Sequence, residues 1–409
     1  MERPDHSRVF AERGRRGFVE RPYSFRGHDF ARRSYFYHGR EYERFYHGYY
    51  YRGVYMNVYG PTVFYRPAFY GWVYNPWAVP IVFGWGWSGS PWYGYYGGYF
   101  QPYPVYPSAA YWLTDYMISQ DLQAEYAAQQ AAGAEEAAAG PPPSGGPPML
   151  SPEVKQQIAD EVRDQLALEN QEAGQNAQNQ DVDPGSSGIA RMVSDGRPHA
   201  FVVGDPVDVV DASSGQECAL SEGDALQLQA PPAPDATAAN LVVLASKGGQ
   251  ECSKSSTVTV QLADLQEMQN QMRETIDQGL EDLQAKQGSG GLPAIPPSAQ
   301  GQPVAAQYAA VAPPPESNIA GEIAQADQQG DQADKDVPAE VAQDNATPFG
   351  GAAPAAPSVP PSIALGQSTS QVQAVLGAPA RVANLGPKVI YYYNGMKVIF
   401  EDGKVSDVQ

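Results

Sequence analysis

The stretch VIYYYNGMKVIFEDGKVSDV, residues 389–408, decides the fold of the C-terminal end of the chain. Asn394-Gly395 and Asp402-Gly403 are dipeptides that supply positive φ at both centres of a type I′ turn, so Val389–Tyr393, Met396–Glu401 and Lys404–Val408 are predicted as a three-stranded meander. Upstream, Ser368 and Gln371 form a capping box, Val372, Val375 and Leu376 make one helical stripe, and Gly377 with Pro379 ends the helix. Alternation is expected to put Ile390, Tyr392, Val398 and Phe400 on one face, where the helix covers them to give a two-layer α+β domain over 362–409. No catalytic constellation falls within it.

The pattern LGQSTSQV (365–372), then VLGAP (375–379), an aromatic strand and FEDGKV (400–405) resembles the SmpA/OmlA family of BamE-like outer-membrane lipoproteins. The resemblance implies a non-enzymatic domain on the periplasmic side of the outer membrane, accessory to β-barrel assembly. The family's unit usually follows a lipidated N-terminal cysteine, whereas Cys218 and Cys252 both lie far from the N-terminus. The fold therefore transfers better than the assembly role, and a generic docking module is the alternative.

The chain has 409 residues, 41 of them Gly and 37 Pro, and the formal net charge is -20. Thirteen of its 26 Lys and Arg residues precede residue 67, all of them Arg, so an arginine-rich head is followed by an acidic body. An acidic body repels phosphate, which leaves nucleic acid as a partner for residues 1–66 alone. The longest apolar run, Ala78–Trp87, is interrupted by Pro80, Gly84 and Gly86 and is too short for a spanning helix. Residues 1–30 lack the pattern of a secretory signal, which read literally is cytoplasmic; the body nevertheless has an exported character, and a signal peptide upstream of the given start is expected.

The expected organisation is multidomain with extensive disorder. Residues 1–66, rich in Arg, Tyr and His, read as a disordered head in which His28, His38 and His47 have no metal-binding geometry. Residues 67–107 are a Trp/Tyr/Gly/Pro segment of turns and aromatic clusters, suited to a membrane interface, a polysaccharide or self-packing. Trp72, Trp77, Trp92, Tyr392 and Phe400 are the candidate partner-contact residues. Helices are predicted over 108–139 and 151–172, the second with Val154, Ile158, Val162 and Leu166 along one side, joined by a Pro/Gly linker at 140–150 and followed by another at 173–188.

Residues 189–287 read as a small all-β barrel or sandwich closed by a long amphipathic helix, 264–286, whose stripe of Leu265, Met268, Met272, Ile276, Leu280 and Leu283 covers the strands or pairs with the helix beginning at Ser151, with a coiled coil to a second copy as the alternative. The strands are expected at 199–203, 207–211, 225–229, 241–245 and 257–262. The repeated GQEC at 215–218 and 249–252 suggests two equivalent hairpins and a Cys218–Cys252 disulfide. Residues 288–361 read as a disordered Pro/Ala/Gln tether.

No phosphate-binding loop, nucleophile elbow or zinc-ligand spacing occurs, so neither an enzyme nor a cofactor is expected. The expectation is a cell-envelope scaffold or adaptor that contacts a protein or an envelope component. Its alternative is a cytoplasmic protein that binds RNA through the head. A ligand-binding role for the middle barrel is a third possibility.

Overall fold

Arg26-Gly27 and Arg52-Gly53 both hold positive φ, 52° and 82° in the first pair and 51° and 78° in the second, which makes each a two-residue hairpin connection. They join strands of a five-stranded antiparallel meander, β1 (Arg8–Phe10), β2 (Phe18–Phe25), β3 (His28–Tyr37), β4 (Arg40–Tyr51) and β5 (Val54–Gly60). The expected disordered head is thus a sheet. The computed structural model describes residues 7–11, 17–37, 40–132, 149–248, 251–314, 318–330, 332, 367–376, 381–385, 388–393, 396–401 and 404–408. They fall into two units, 1–332 and 333–409.

Both faces of the first sheet are covered, which is why its residues show no single apolar alternation. Phe30, pairing with His47, and Phe45 face Tyr308, whose ring centroid lies 5.0 Å from Phe30 and 5.6 Å from Phe45. Ala31, Tyr46 and Tyr59 occupy the other face. There β5 packs on α7 (Leu262–Lys286). A two-strand ladder joins β6 (Val63–Phe64) to a segment late in the unit at Val304–Ala305. Residues 288–314, expected as tether, instead bury Leu292, Ile295, Ala299, Ala306 and Tyr308 in the main core, and a helix at 319–330 sets Ile319 against Val9 and Val19. The remainder of the expected tether, 333–361, lies outside the described residues.

The aromatic segment lines that main core. It forms α1 (Pro67–Tyr74) and α2 (Pro91–Tyr96), each with proline in the first turn, and buries Phe69, Tyr70, Trp92, Tyr96, Phe100 and Tyr106. Against it pack α3 (Ala109–Ala132) and α4 (Pro152–Ala177), whose Val154, Ile158, Val162 and Leu166 are all buried. Helix α4 extends into the expected linker at 173–188, which also carries the short α5 (Pro184–Ser187).

The β-rich region is one curled antiparallel sheet in the order β7-β10-β11-β12-β8-β9, with β7 (His199–Val202), β8 (Val207–Asp211), β9 (Glu217–Leu220), β10 (Ala225–Leu228), β11 (Ala238–Ala245) and β12 (Thr257–Gln261). Its core of Phe201, Leu226, Leu241, Val243 and Val258 is closed by α6 (Ile189–Met192) and the start of α7. Strand β9 was not expected, and the repeated tetrapeptide is not a structural repeat: Cys218 lies within β9, whereas Cys252 lies in the connection between β11 and β12. The apolar stripe of α7 is buried in the unit along its whole length, so it offers no coiled-coil seam to a second copy. Its upstream half covers the curled sheet and its downstream half the aromatic core.

In the second unit a helix at Thr369–Leu376 is followed by four antiparallel strands in sequence order, Arg381–Leu385, Lys388–Tyr393, Met396–Glu401 and Lys404–Val408. The first of these strands was not expected. The two-residue connection sets Tyr393 opposite Met396, so each odd-numbered residue faces an even-numbered one. Val389 and Tyr391, rather than Ile390 and Tyr392, therefore share the helix-covered face with Val398 and Phe400. The turn dipeptides and Gly377 with Pro379 lie outside the described residues.

Candidate functional site

Cys218 and Cys252 are joined in a disulfide. The bond ties β9 to residues 251–252, where Cys252 N–H donates to Ala219 O at 2.9 Å. Glu251, beside the bonded cysteine, accepts from the backbone of Lys247 (2.7 Å) and Gly248 (3.1 Å) and from the hydroxyls of Ser246 and Ser221. These bonds fold the 246–252 connection over the Lys247 side chain. Its ammonium meets Asp224 at 2.9 Å and Glu125 of α3 at 3.6 Å, donates to Glu222 O, and lies 5.2 Å from the Tyr99 ring centroid. Burial pushes Glu125 and Asp224 up to about 7, against the opposing pull of Lys247, and the surrounding carboxylates hold Lys247 above its ordinary range. This cage clamps α3 to the curled sheet.

A second buried polar line runs along α7 where it meets the first sheet and α4. Arg33 bridges Glu20 (3.0 Å) and Glu267 (2.6 Å), Tyr46 O–H donates to Glu274, and Tyr59 O–H donates to Asp277 at 2.7 Å. Arg273 pairs with Glu172 of α4 at 2.5 Å and donates to Tyr59 O at 3.0 Å. Burial raises Glu169 and Asp277 together, against the opposing pull of Arg273. Each of these side chains is held by another member of the line or by the backbone, a pattern that fixes the relative positions of α7, α4 and the first sheet.

Glu161, Asp164 and His199 are the described residues whose ligand atoms come closest to a metal set, within 4.8 Å of one another. His199 already uses Nδ1 on Glu161 (2.8 Å) and Nε2 on Asp195 (2.9 Å), while Arg197 pairs with both Asp164 (2.9 Å) and Asp195 (3.1 Å). A guanidinium shared by two of the carboxylates makes this an ion-pair cluster rather than a metal centre. Of the head histidines, His28 approaches Asp181 at 3.5 Å, and burial lowers His47 to about 3. His38 lies outside the described residues.

The predicted contact residues separate. Trp72 and Trp77 come together, ring centroids 5.9 Å apart, along a cleft of about 600 Å³ between α1 and residues 293–299. Trp92 is buried against Trp87 at 5.3 Å, and Phe400 is buried in the core of the second unit, so both rings face inward. Tyr392 is partly exposed, with Lys397 Nζ 5.7 Å from its ring centroid. The polar cage and the α7 line escaped the sequence reading because their members are far apart in the chain. The available signal was the placing of Asn270, Arg273 and Asp277 among the apolar residues of α7.

No family model, no curated protein and no solved structure matches this chain.

Proposed function

We propose that the chain is a non-enzymatic scaffold of the bacterial cell envelope, in which unit 1–332 is the stable body and the C-terminal unit docks a protein partner. The observation that carries this reading is the Cys218–Cys252 bond, formed by the only two cysteines of the chain and placed where it holds the polar cage together. A structural disulfide belongs to an oxidising compartment. The resemblance of the C-terminal unit to SmpA/OmlA proteins points to the same compartment. Among the described residues no helix is long and apolar enough to cross a membrane.

The alternative, RNA binding through the arginine-rich head, has less support because several of those arginines are engaged within the chain. Arg21 pairs with Glu322, Arg32 with Glu43, Arg33 with Glu20 and Glu267, and Arg52 donates to Ala233 O and Ala236 O. Counterion release needs cations that are free to meet phosphate. Thiol alkylation before and after reduction, in fractionated cells expressing the protein from its own locus, tests the proposal. A bonded pair in the envelope fraction is expected; two free thiols in the cytosol would overturn it.

A further inference from the structure

We infer that the cleft between α1 and residues 293–299 binds an uncharged oligosaccharide. The volume of about 600 Å³ lies within the range of small-ligand sites, roughly 300–1,000 Å³. A pyranose needs an aromatic face for its C–H surface and a few hydrogen-bonding groups for its hydroxyls, and the cleft supplies both. Trp72 and Trp77 form an aromatic wall with their planes 33° apart, joined by Val79 and Pro296. Asn75 donates one amide hydrogen to Gly71 O at 2.7 Å, which leaves its carbonyl oxygen and second N–H, together with the Ser298 hydroxyl, for ligand groups. The indole N–H of Trp77, in a side chain only 7% exposed, has no acceptor in the protein.

Charge narrows the ligand class. No ionisable side chain other than tyrosine occurs between Arg66 and Asp115, none lines the cleft, and the chain as a whole carries -20. An anionic glycan or headgroup would meet net repulsion and find no cation to receive it, whereas a neutral sugar incurs neither cost. The lining is otherwise apolar, with Ala68, Val79, Ile81, Pro293 and Pro296 around the two tryptophans.

For the supply of its ligand the inference rests on the envelope reading, but its test does not depend on compartment. The full chain is titrated with chitotetraose and cellotetraose, followed by tryptophan fluorescence and calorimetry. Saturable binding of at least one is expected, weakened about tenfold or more by Trp72→Ala and unchanged by Tyr50→Ala, which alters an exposed ring outside the cleft. Should Trp72→Ala fold poorly, Ser298→Ala, on an exposed position, is expected to weaken binding about threefold. No saturable response at millimolar sugar, or binding indifferent to the cleft variants, would overturn the inference. So would binding to phosphatidylcholine vesicles that needs Trp72 and is not displaced by sugar. A cytosolic location with intact sugar binding would remove the envelope reading and leave the cleft assigned.

Discussion

The N-terminal and C-terminal sheets are both antiparallel meanders, yet they differ in what completes them. The C-terminal sheet closes locally, with Val372, Val398, Phe400 and Val405 meeting within forty residues of chain. The N-terminal sheet is completed by side chains more than two hundred residues away, through Arg33 with Glu267, Tyr46 with Glu274 and Tyr59 with Asp277. One core is apolar and self-sufficient. The other carries charge into the interior and is stable only if α7 arrives with matching partners, because a buried ion left alone costs far more than the pair contributes.

The difference can be broken experimentally, most severely at Arg273. Arg273→Ala strands Glu172 and is expected to destabilise the first unit by about 3–5 kcal/mol. Urea unfolding followed by tryptophan fluorescence reads this cleanly, since all six tryptophans lie in the first unit. Amide spectra of 367–408 should stay unchanged, and their collapse would show that the second unit is not self-sufficient. Cys218→Ser with Cys252→Ser is expected to cost the first unit about 3–4 kcal/mol, from the closure entropy of a loop of this length. A loss below about 1 kcal/mol would mean that the ion pairs alone hold the cage.

Val398→Ala removes buried apolar surface from the smaller core and should cost about 2 kcal/mol, visible in the amide spectra and silent in tryptophan fluorescence. Gly53→Ala places a Cβ at φ 78° and is expected to cost about 1–2 kcal/mol in the same urea experiment. Stability also depends on pH. Glu125 and Asp224 are raised to about 7 in the folded state, so the folded chain binds more protons than the unfolded one between the ordinary carboxylate range and pH 7. Their contribution to stability therefore falls as pH rises through that window, while Lys247 stays charged throughout it. The melting temperature should be lower at pH 8 than at pH 5.5, with Glu125→Gln reducing the difference; an unaltered difference in that variant would assign it elsewhere.

These outcomes bear on what the sequence makes visible. Asn394-Gly395 and Asp402-Gly403 announce hairpins, and all five strands expected in the middle region, as well as the three long helices, lie within a few residues of their positions. Arg26-Gly27 and Arg52-Gly53 make the same kind of connection without the side chain that usually signals it. The strands they join look like biased sequence because both faces are covered, one by tyrosines and ion pairs and the other by aromatic rings. Alternation is informative only when one face meets water. The cysteine pair was legible from its count, although the repeated setting that suggested it does not correspond to repeated hairpins, and Trp72 with Trp77 from aromatic density. The cage around Lys247 was not, since Glu125, Asp224 and Glu251 share no local pattern.

The first unit ends where it begins. Ile319 and Ile323 of the 319–330 helix pack on Val9 and Val19, and Glu322 pairs with Arg21 of β2 at 3.3 Å. Topologically this turns an open chain into a nearly closed ring, so that bridging the two ends with a short linker and cutting between α3 and α4 would give a circular permutant with the contacts of the native unit. The two ends of the body are therefore one place, at which two groups attached to the permutant's bridging linker would be brought together.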